Sequence, residues 1–151
     1  MSMFSFIGQA RHTMDDKGRI LIPKPYRSDI EGNTITSYVL TISYEPCLCL
    51  FPRQKWLQIM SELAKTPPID DFSRYFLRKV LSGAVYQNPD KIGRIMVPQH
   101  LRDHAELDSE VFIIGVIERI ELWDAHLWES YDENNKQKKE ELSRRFIELG
   151  F

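Results

Sequence analysis

Residues 15–27 read Asp-Asp-Lys-Gly-Arg-Ile-Leu-Ile-Pro-Lys-Pro-Tyr-Arg, and residues 90–102 read Asp-Lys-Ile-Gly-Arg-Ile-Met-Val-Pro-Gln-His-Leu-Arg. At an offset of 75 residues, the two stretches share Asp, Gly, Arg, Ile, Pro and a final Arg. Farther along, an offset of 72 residues aligns Leu48 with Ile120, Leu50 with Leu122 and Trp56 with Trp128. The chain therefore contains one small unit twice, and the first copy carries extra residues in a loop.

Each copy is predicted to form a strand, a tight turn, a second strand and a short helix. Gly18 and Gly93 can adopt the positive φ that such a turn requires. The apolar runs that follow, 20–22 and 95–97, contain β-branched residues and favour strands. A proline then ends each run and suits the first turn of a helix. The turn presents an arginine in both copies, Arg19 and Arg94.

Two copies of Asp-x-x-x-Arg, each leading into an apolar strand and a proline, resemble the MraZ family. The resemblance extends to residues 45–52 and 120–124 and so covers nearly the whole chain. It implies a mixed α+β fold in which two AbrB-like swapped-hairpin units form a pseudo-two-fold β-barrel with attached helices. It also implies a DNA-binding transcriptional regulator that represses the division and cell-wall gene cluster, including its own gene. Such a protein would bind short repeats in double-stranded promoter DNA as a ring-shaped homo-oligomer.

The chain is expected to divide into four segments: residues 5–52 form the first unit, 53–81 two linking helices, 82–125 the second unit, and 126–151 a carboxy-terminal helical region. The opening strand, up to about His12, is predicted to pair with residues 20–22 across the turn. A helix is expected over 24–30. Thr66-Pro67-Pro68 should end the first linking helix, and Asp70 or Asp71 should cap the second.

Several further elements follow from periodicity. Residues 34–43 are predicted to form a strand, and 47–51 a central, buried strand, because both of its faces are apolar. Residues 111–117 and 119–123 should form a hairpin that turns near Glu118. The last helix should begin near Asp124 and be interrupted or exposed in the polar stretch 132–141, with its final turns docked on its own domain or on a neighbouring subunit.

Composition is typical of a soluble globular protein, because 42% of the 151 residues are hydrophobic and 28% are charged. No apolar run approaches the roughly 20 residues of a membrane span. The amino terminus lacks the pattern of a signal peptide, so we expect a cytoplasmic, nucleoid-associated protein. Two cysteines are too few for a disulfide framework.

Charge is segregated along the chain, although the net charge is only -2. Residues 9–27 contain five basic and two acidic residues, whereas residues 106–151 contain twelve acidic and six basic ones. A positive surface at the first motif is therefore compatible with an acidic carboxy-terminal region. That acidic region is most simply a solvated helix surface.

The candidate DNA-binding residues are Lys17, Arg19, Lys24 and Arg27 in the first copy and Lys91, Arg94 and Arg102 in the second. Asp15, Gly18, Asp90 and Gly93 are expected to shape the turns. Each turn arginine can pair with the aspartate of its own turn, or contact guanine or phosphate, and the two roles are compatible. Ile92 and Gln99 replace Lys17 and Lys24, so we expect Arg19→Ala to weaken DNA binding more than Arg94→Ala.

Other chemistries fit the sequence less well. Asp15 and Asp90 resemble a duplicated acid pair, but each precedes an arginine that would keep it ionised, so no catalytic residue is predicted. Cys47 with Cys49, and His100 with His104, lack further ligands and indicate no metal site. The tryptophans are expected to pack in the core and not to stack on bases. We predict no cofactor and no small-molecule substrate.

Two alternative functions remain open. The chain is also compatible with an antitoxin-like AbrB relative, or with a structural or protein-interaction oligomer that does not bind DNA. Self-association is expected in any case, because apolar residues lie near both ends of the chain: Phe4, Phe6 and Ile7, and Phe146, Ile147 and Leu149. A repeated head-to-tail contact between such units closes into a ring if its rotation permits.

Overall fold

Helices and antiparallel strands alternate along the chain in a mixed α+β fold. The computed structural model describes residues 2–65, 67 and 69–151. The strands in this part of the chain are β1 (Gln9–Thr13), β2 (Arg19–Leu21), β3 (Tyr38–Ile42), β4 (Leu48–Pro52), β5 (Val85–Gln87), β6 (Arg94–Met96), β7 (Glu110–Val116) and β8 (Arg119–Asp124). The α-helices are α1 (Arg53–Lys65), α2 (Asp71–Gly83), α3 (Gln99–His104), α4 (Ala125–Lys136) and α5 (Lys139–Glu148).

Six strands form one antiparallel sheet in the order β1-β7-β8-β4-β3-β5. The order reads the same from either edge once the copies are exchanged, because β1 corresponds to β5, β3 to β7 and β4 to β8. The first strand of each copy therefore pairs with the hairpin of the other copy. This antiparallel sheet shares its core between the copies.

The predicted hairpin between the opening strand and residues 20–22 is wrong. β1 pairs with β7, and β2 pairs with β6. The turn between β1 and β2 does not need a strand ladder, because the side chain of Asp15 closes it by accepting hydrogen bonds from the amides of Lys17 and Arg19. β1 and β2 can consequently diverge, each toward a strand of the second copy.

β2 and β6 form a separate two-stranded antiparallel ribbon, called the ribbon below. Ile20 lies opposite Ile95 in its register, and both side chains are buried in the core. Because side chains alternate along a strand, the neighbouring residues project from the opposite face. That outer face carries Arg19, Leu21, Arg94 and Met96. It is called the ribbon face below.

The core fills the space between the six-stranded sheet and the ribbon, and both copies contribute to it. The predicted central position of the strand over 47–51 is confirmed, since β4 lies between β3 and β8. Phe4 and Phe6 are 5% and 3% exposed. The expectation that they offer an apolar surface to a neighbouring subunit is therefore wrong; of that amino-terminal group, Ile7 is exposed. The Tyr26 hydroxyl anchors the segment by donating to the carbonyl of Gly8 at 2.7 Å.

The helices follow the predicted pattern with shorter bounds. A 3-10 helix over Lys24–Tyr26 replaces the helix predicted for 24–30. Asp70 caps α2 by accepting from the Ser73 amide at 2.7 Å, and Asp124 caps α4 in the same way. The predicted interruption of the last helix separates α4 from α5. Of the predicted stop after α1, Thr66 and Pro68 lie outside the described residues.

α2 and α5 expose large apolar side chains to solvent. α2 presents Phe72, Tyr75 and Phe76, which are 74%, 56% and 49% exposed. Every residue of α5 is exposed, including Leu142, Phe146 and Ile147. Of the two expected alternatives, docking of the last turns on their own domain is therefore wrong, and docking on a neighbouring subunit stays a prediction. None of the helices in the described residues is long and apolar enough to cross a membrane.

Candidate nucleic-acid interface

The first turn, residues 15–19, is organised by the carboxylate of Asp15. Oδ1 accepts the amides of Lys17 and Arg19 at 3.0 and 2.8 Å, and Oδ2 accepts Nε of Arg19 at 2.6 Å. The Gly18 amide donates to the Asp15 carbonyl at 3.0 Å. Gly18 has a φ of +83°, a value that a residue with a side chain adopts only with strain. One carboxylate thus fixes both the backbone of the turn and the direction of the arginine.

The second turn, residues 90–94, repeats this geometry. Asp90 accepts the amides of Ile92 and Arg94 at 3.1 and 2.9 Å and Nε of Arg94 at 2.8 Å. Gly93 has a φ of +96°. The two turns are therefore equivalent in hydrogen bonding as well as in sequence.

Both aspartates are held in the ionised form. The hydrogen bond from the backbone amide of Arg19 contributes most to lowering the pKa of Asp15, and the Arg19 side chain adds to the effect. The pKa of Asp90 is lowered by the equivalent bonds from Arg94. At neutral pH each turn therefore contains an ion pair. The aspartate fixes Nε, while the far edge of the guanidinium points away from that bond.

The two arginines lie on the same face of the ribbon. Arg19 is opposite Met96, and Arg94 is opposite Leu21, so the arginines occupy diagonal corners. Strand geometry places their Cα atoms roughly 8 Å apart. Their side chains are 38% and 34% exposed. The ribbon face is consequently a nearly two-fold surface with one oriented guanidinium at each end.

The other predicted site residues fall into two groups. Lys17, Lys24 and Lys91 are exposed beside the ribbon. Arg27 and Arg102 are half-buried, and each lies against the glycine of the other copy's turn. The structure therefore gathers all seven predicted cations around the ribbon but surrounds two of them with protein.

The excess of positive charge counted for residues 9–27 becomes smaller once ion pairs and burial are taken into account. Arg11 lies on β1, where Nε donates to Glu110 at 2.6 Å and a terminal nitrogen lies 3.7 Å from Glu129. Without Arg11 and the half-buried Arg27, residues 15–24 contain three basic and two acidic side chains, and residues 90–99 contain two basic and one acidic. Both segments therefore carry a net charge of +1, so these two segments differ in where their lysines lie and not in net charge.

The side chains considered above for metal binding or base stacking contact other parts of the protein instead. Cys47 and Cys49 are buried, and burial raises the pKa of the Cys47 thiol to about 12. His100 Nε2 lies 3.0 Å from the carbonyl oxygen of Gly83, the last residue of α2. Trp56 and Trp123 are buried, which confirms their prediction as core residues. No cluster of three potential metal ligands occurs in the part of the chain that the structure describes.

Comparison with known proteins identifies the family. The family described as "MraZ protein, putative antitoxin-like" matches residues 5–79 and 80–148. The chain belongs to the MraZ family. Proteins named "Transcriptional regulator MraZ" from Carboxydothermus hydrogenoformans and Halothermothrix orenii are 34% and 37% identical to it. These matches cover 95% and 96% of this chain and 98% and 99% of the relatives.

The family match has the same internal repeat as the sequence. Its two segments begin at residues 5 and 80, which is the 75-residue offset that relates the two turns. A third relative of the same name, from Thermoanaerobacter pseudethanolicus, is 36% identical over 95% of the chain. The family match therefore supports a duplication that extends over the whole repeated unit and not only over the turn motifs.

Sequence reasoning missed two members of the ribbon face, Leu21 and Met96. Met96 is 56% exposed, although it lies in a run predicted as an apolar strand. The available signal was alternation: Ile20 and Ile95 must face the core, so each neighbouring residue faces outward. The contacts of Arg27 and Arg102 with the opposite copy had no such signal, because they depend on the pairing of β2 with β6.

Proposed function

We propose that this chain is a sequence-specific DNA-binding transcriptional regulator that represses the division and cell-wall gene cluster, including its own gene. The observation that carries the proposal is the ribbon face, on which two arginines are oriented by aspartates at diagonal corners. The names of the relatives support transcriptional regulation. The crossed pairing of strands between copies supports the swapped-hairpin barrel implied by the family resemblance.

A two-stranded ribbon has the right dimensions for DNA, because the major groove admits a β-ribbon as well as a helix. Arginine forms two hydrogen bonds with O6 and N7 of guanine. Arg19 and Arg94 each keep Nε on an aspartate, which leaves the terminal nitrogens for a base. The ion pair fixes the side chain before binding and reduces the entropy lost on contact.

The lysines are assigned a different role. Lys17, Lys24 and Lys91 are exposed and adjoin the ribbon. Unpaired lysines neutralise phosphates regardless of sequence and make affinity depend on salt. We therefore assign sequence discrimination to Arg19 and Arg94, and general affinity to the lysines.

Repeated promoter sites are part of the same proposal. One ribbon offers two arginines, so useful affinity requires several chains that bind neighbouring sites together. The exposed apolar residues of α2 and α5 support self-association. A ring of subunits would display several ribbons on one side and place them on successive repeats.

Fluorescence anisotropy with DNA from the region upstream of the protein's own gene tests the DNA-binding proposal. Arg19→Ala and Arg94→Ala should each reduce discrimination between the cognate and a scrambled duplex by about 1–3 kcal/mol. The sequence alone predicts a larger loss for Arg19→Ala, but the two turns have the same hydrogen bonds, so we now propose that the two losses are similar. Arg53→Ala is the matched control, since Arg53 is an exposed arginine at the start of α1.

The outcomes separate this proposal from the structural alternative. Salt-dependent binding of wild type, with unchanged binding by Arg53→Ala, is the expected result. Folded Arg19→Ala and Arg94→Ala proteins that keep full discrimination would exclude the ribbon face as the reading surface. A wild-type protein that binds no upstream DNA at low salt would favour an interaction module.

A further inference from the structure

Each turn glycine is covered by an arginine from the other copy. A Cβ atom added to Gly93 would lie 2.6 Å from Cζ and 2.8 Å from Nε of Arg27. A Cβ atom added to Gly18 would lie 2.6 Å from the carbonyl oxygen of Val97 and 3.0 Å from both Cζ and Nε of Arg102. Arg27 belongs to the first copy and Gly93 to the second, while Arg102 and Gly18 stand in the reverse relation. The two contacts are thus crossed.

Backbone hydrogen bonds connect the same groups. The Ile22 amide donates to the Gly93 carbonyl at 2.9 Å, and the Val97 amide donates to the Gly18 carbonyl at 2.8 Å. Nε of Arg27 donates to the Ile22 carbonyl at 2.7 Å. One arginine is therefore bonded to the strand end that holds the opposite turn, and its guanidinium covers the glycine of that turn.

The environment of Arg102 is similar but lacks one bond. Its Nε is buried and has no hydrogen-bond partner among the described residues. An unpaired buried donor is unfavourable, so a different reason must keep this group in place. Its packing against Gly18 provides that reason, because the guanidinium and the Val97 carbonyl oxygen together fill the space that a side chain at Gly18 would need.

We propose that Arg27 and Arg102 are positioning residues that act across the copies: Arg102 holds the first turn in its binding shape, and Arg27 holds the second. The part of this proposal that concerns DNA binding rests on the function proposed above. The glycine at each turn meets two demands at once, a positive φ and space for a planar guanidinium. A lysine in place of Arg27 or Arg102 would cover the glycine poorly, because it lacks a planar group that can lie flat on a backbone.

Hydrogen–deuterium exchange on the free protein tests the crossed relation without DNA. Arg102→Ala should raise exchange in peptides that cover residues 15–19 and leave residues 90–94 unchanged. Arg27→Ala should do the opposite. Removing the covering guanidinium should make opening of the turn easier by about the size of one ordinary interaction, which predicts a rise of roughly fivefold in exchange rate. Lys24→Ala, an exposed neighbour of Arg27, is the matched control and should change neither turn.

Arg27→Met and Arg102→Met keep the aliphatic stems and serve if the alanine variants do not fold. Arg27→Lys and Arg102→Lys should also fail to restore slow exchange. Each arginine acting on the turn of its own copy, on both turns equally, or on neither would overturn the proposal. Restored protection in the lysine variants would likewise overturn it, because charge alone would then suffice.

DNA binding distinguishes this inference from the proposed function. Arg102→Ala combined with Arg19→Ala should lose less affinity than the product of the single losses, since both act through the first turn. Combined with Arg94→Ala, its loss should be multiplicative. Crossed exchange in a protein that does not bind DNA would retain the positioning role and reject the function. Arg102→Ala that weakens DNA binding with no change in exchange would make Arg102 a direct contact and overturn the inference.

Discussion

At the scale of single residues, the turn aspartates could either weaken or strengthen DNA binding. In the proposed complex Asp15 would add negative charge beside DNA, yet it fixes Nε of Arg19 at 2.6 Å and accepts hydrogen bonds from two turn amides. If only charge mattered, removing it would strengthen binding. If the orientation of Arg19 matters more, removing it would weaken the specific complex. The two effects oppose each other, so a neutral substitution decides between them.

We therefore expect Asp15→Asn to reduce the ratio of specific to non-specific affinity by roughly tenfold, the lower range for one lost bidentate base contact. Asp16→Asn is the matched control, because Asp16 is an exposed neighbour of the same charge. That control should bind all DNA slightly more tightly. Both affinities can be measured by titrating cognate and scrambled duplexes. Tighter specific binding by Asp15→Asn would refute the orienting role.

The same carboxylates predict a dependence of stability on pH. The folded-state pKa of Asp15 and of Asp90 is lowered by the turn hydrogen bonds. The ionised groups therefore stabilise the fold at neutral pH, and this contribution is lost as pH falls through the lowered pKa. Urea unfolding should show that wild type loses stability below about pH 4 more steeply than Asp15→Asn/Asp90→Asn. Parallel curves would mean that the turns do not contribute to acid sensitivity.

At the scale of secondary structure, local patterns predicted the elements but not their partners. The positive φ of Gly18 and Gly93, the cap at Asp70 and the break before α5 all follow from neighbours in sequence. The pairing of β1 with β7 does not, because a strand's alternation specifies its buried face and not which strand lies beside it. The prediction of the candidate site from sequence had the same limit. Arg19 and Arg94 were found by motif, whereas the contacts of Arg27 and Arg102 with the opposite glycine require the crossed pairing.

The ribbon predicts how salt dependence should change with the lysines. Lys17 in the first turn corresponds to Ile92 in the second, and both residues are exposed. We expect Lys17→Ile to reduce the slope of log affinity against log salt by about 0.9, the value for one phosphate contact. Ile92→Lys should increase it by a similar amount. Binding isotherms between low and moderate salt measure both slopes.

These two substitutions control each other, because each places in one turn the residue that the other turn already carries. Equal and opposite changes indicate that both turns face phosphates. A change for Lys17→Ile with none for Ile92→Lys would show that only the first turn approaches DNA. That result would restore the unequal contribution of the two copies expected from the sequence.

At the scale of the whole molecule, a ring requires two different surfaces that fit each other on every subunit. α2 exposes Phe72 and Phe76, while Phe146 of α5 and Leu149, the residue directly after α5, are also exposed. We predict that α5 of one subunit packs on α2 of the next. Light scattering of wild type should then show a mass far above 17.8 kDa. Phe72→Glu/Phe76→Glu and Phe146→Glu/Leu149→Glu should each dissociate the assembly.

Mixing the two dissociated proteins identifies the type of contact. Each variant keeps one intact surface, so an α5-to-α2 contact allows one pair to form but no ring. A dimer in the mixture, absent from either protein alone, is the expected result. Monomers in the mixture would exclude this contact. An assembly that persists in both variants would place the interface elsewhere on the molecule.

The proposed ring makes a prediction about operator spacing. Ribbons held side by side reach the same face of a duplex only if the repeats are separated by about one helical turn, roughly 10 base pairs. Inserting about five base pairs between repeats turns one site to the opposite face, so affinity for the two-repeat operator should fall toward that for one repeat. Inserting about ten base pairs should restore most of it, because the faces realign. The dissociated variants are the control, since single subunits should bind all three operators equally. Equal affinity of the wild-type ring for all three would show that its subunits bind independently, and sequence repeats would then act only by their number.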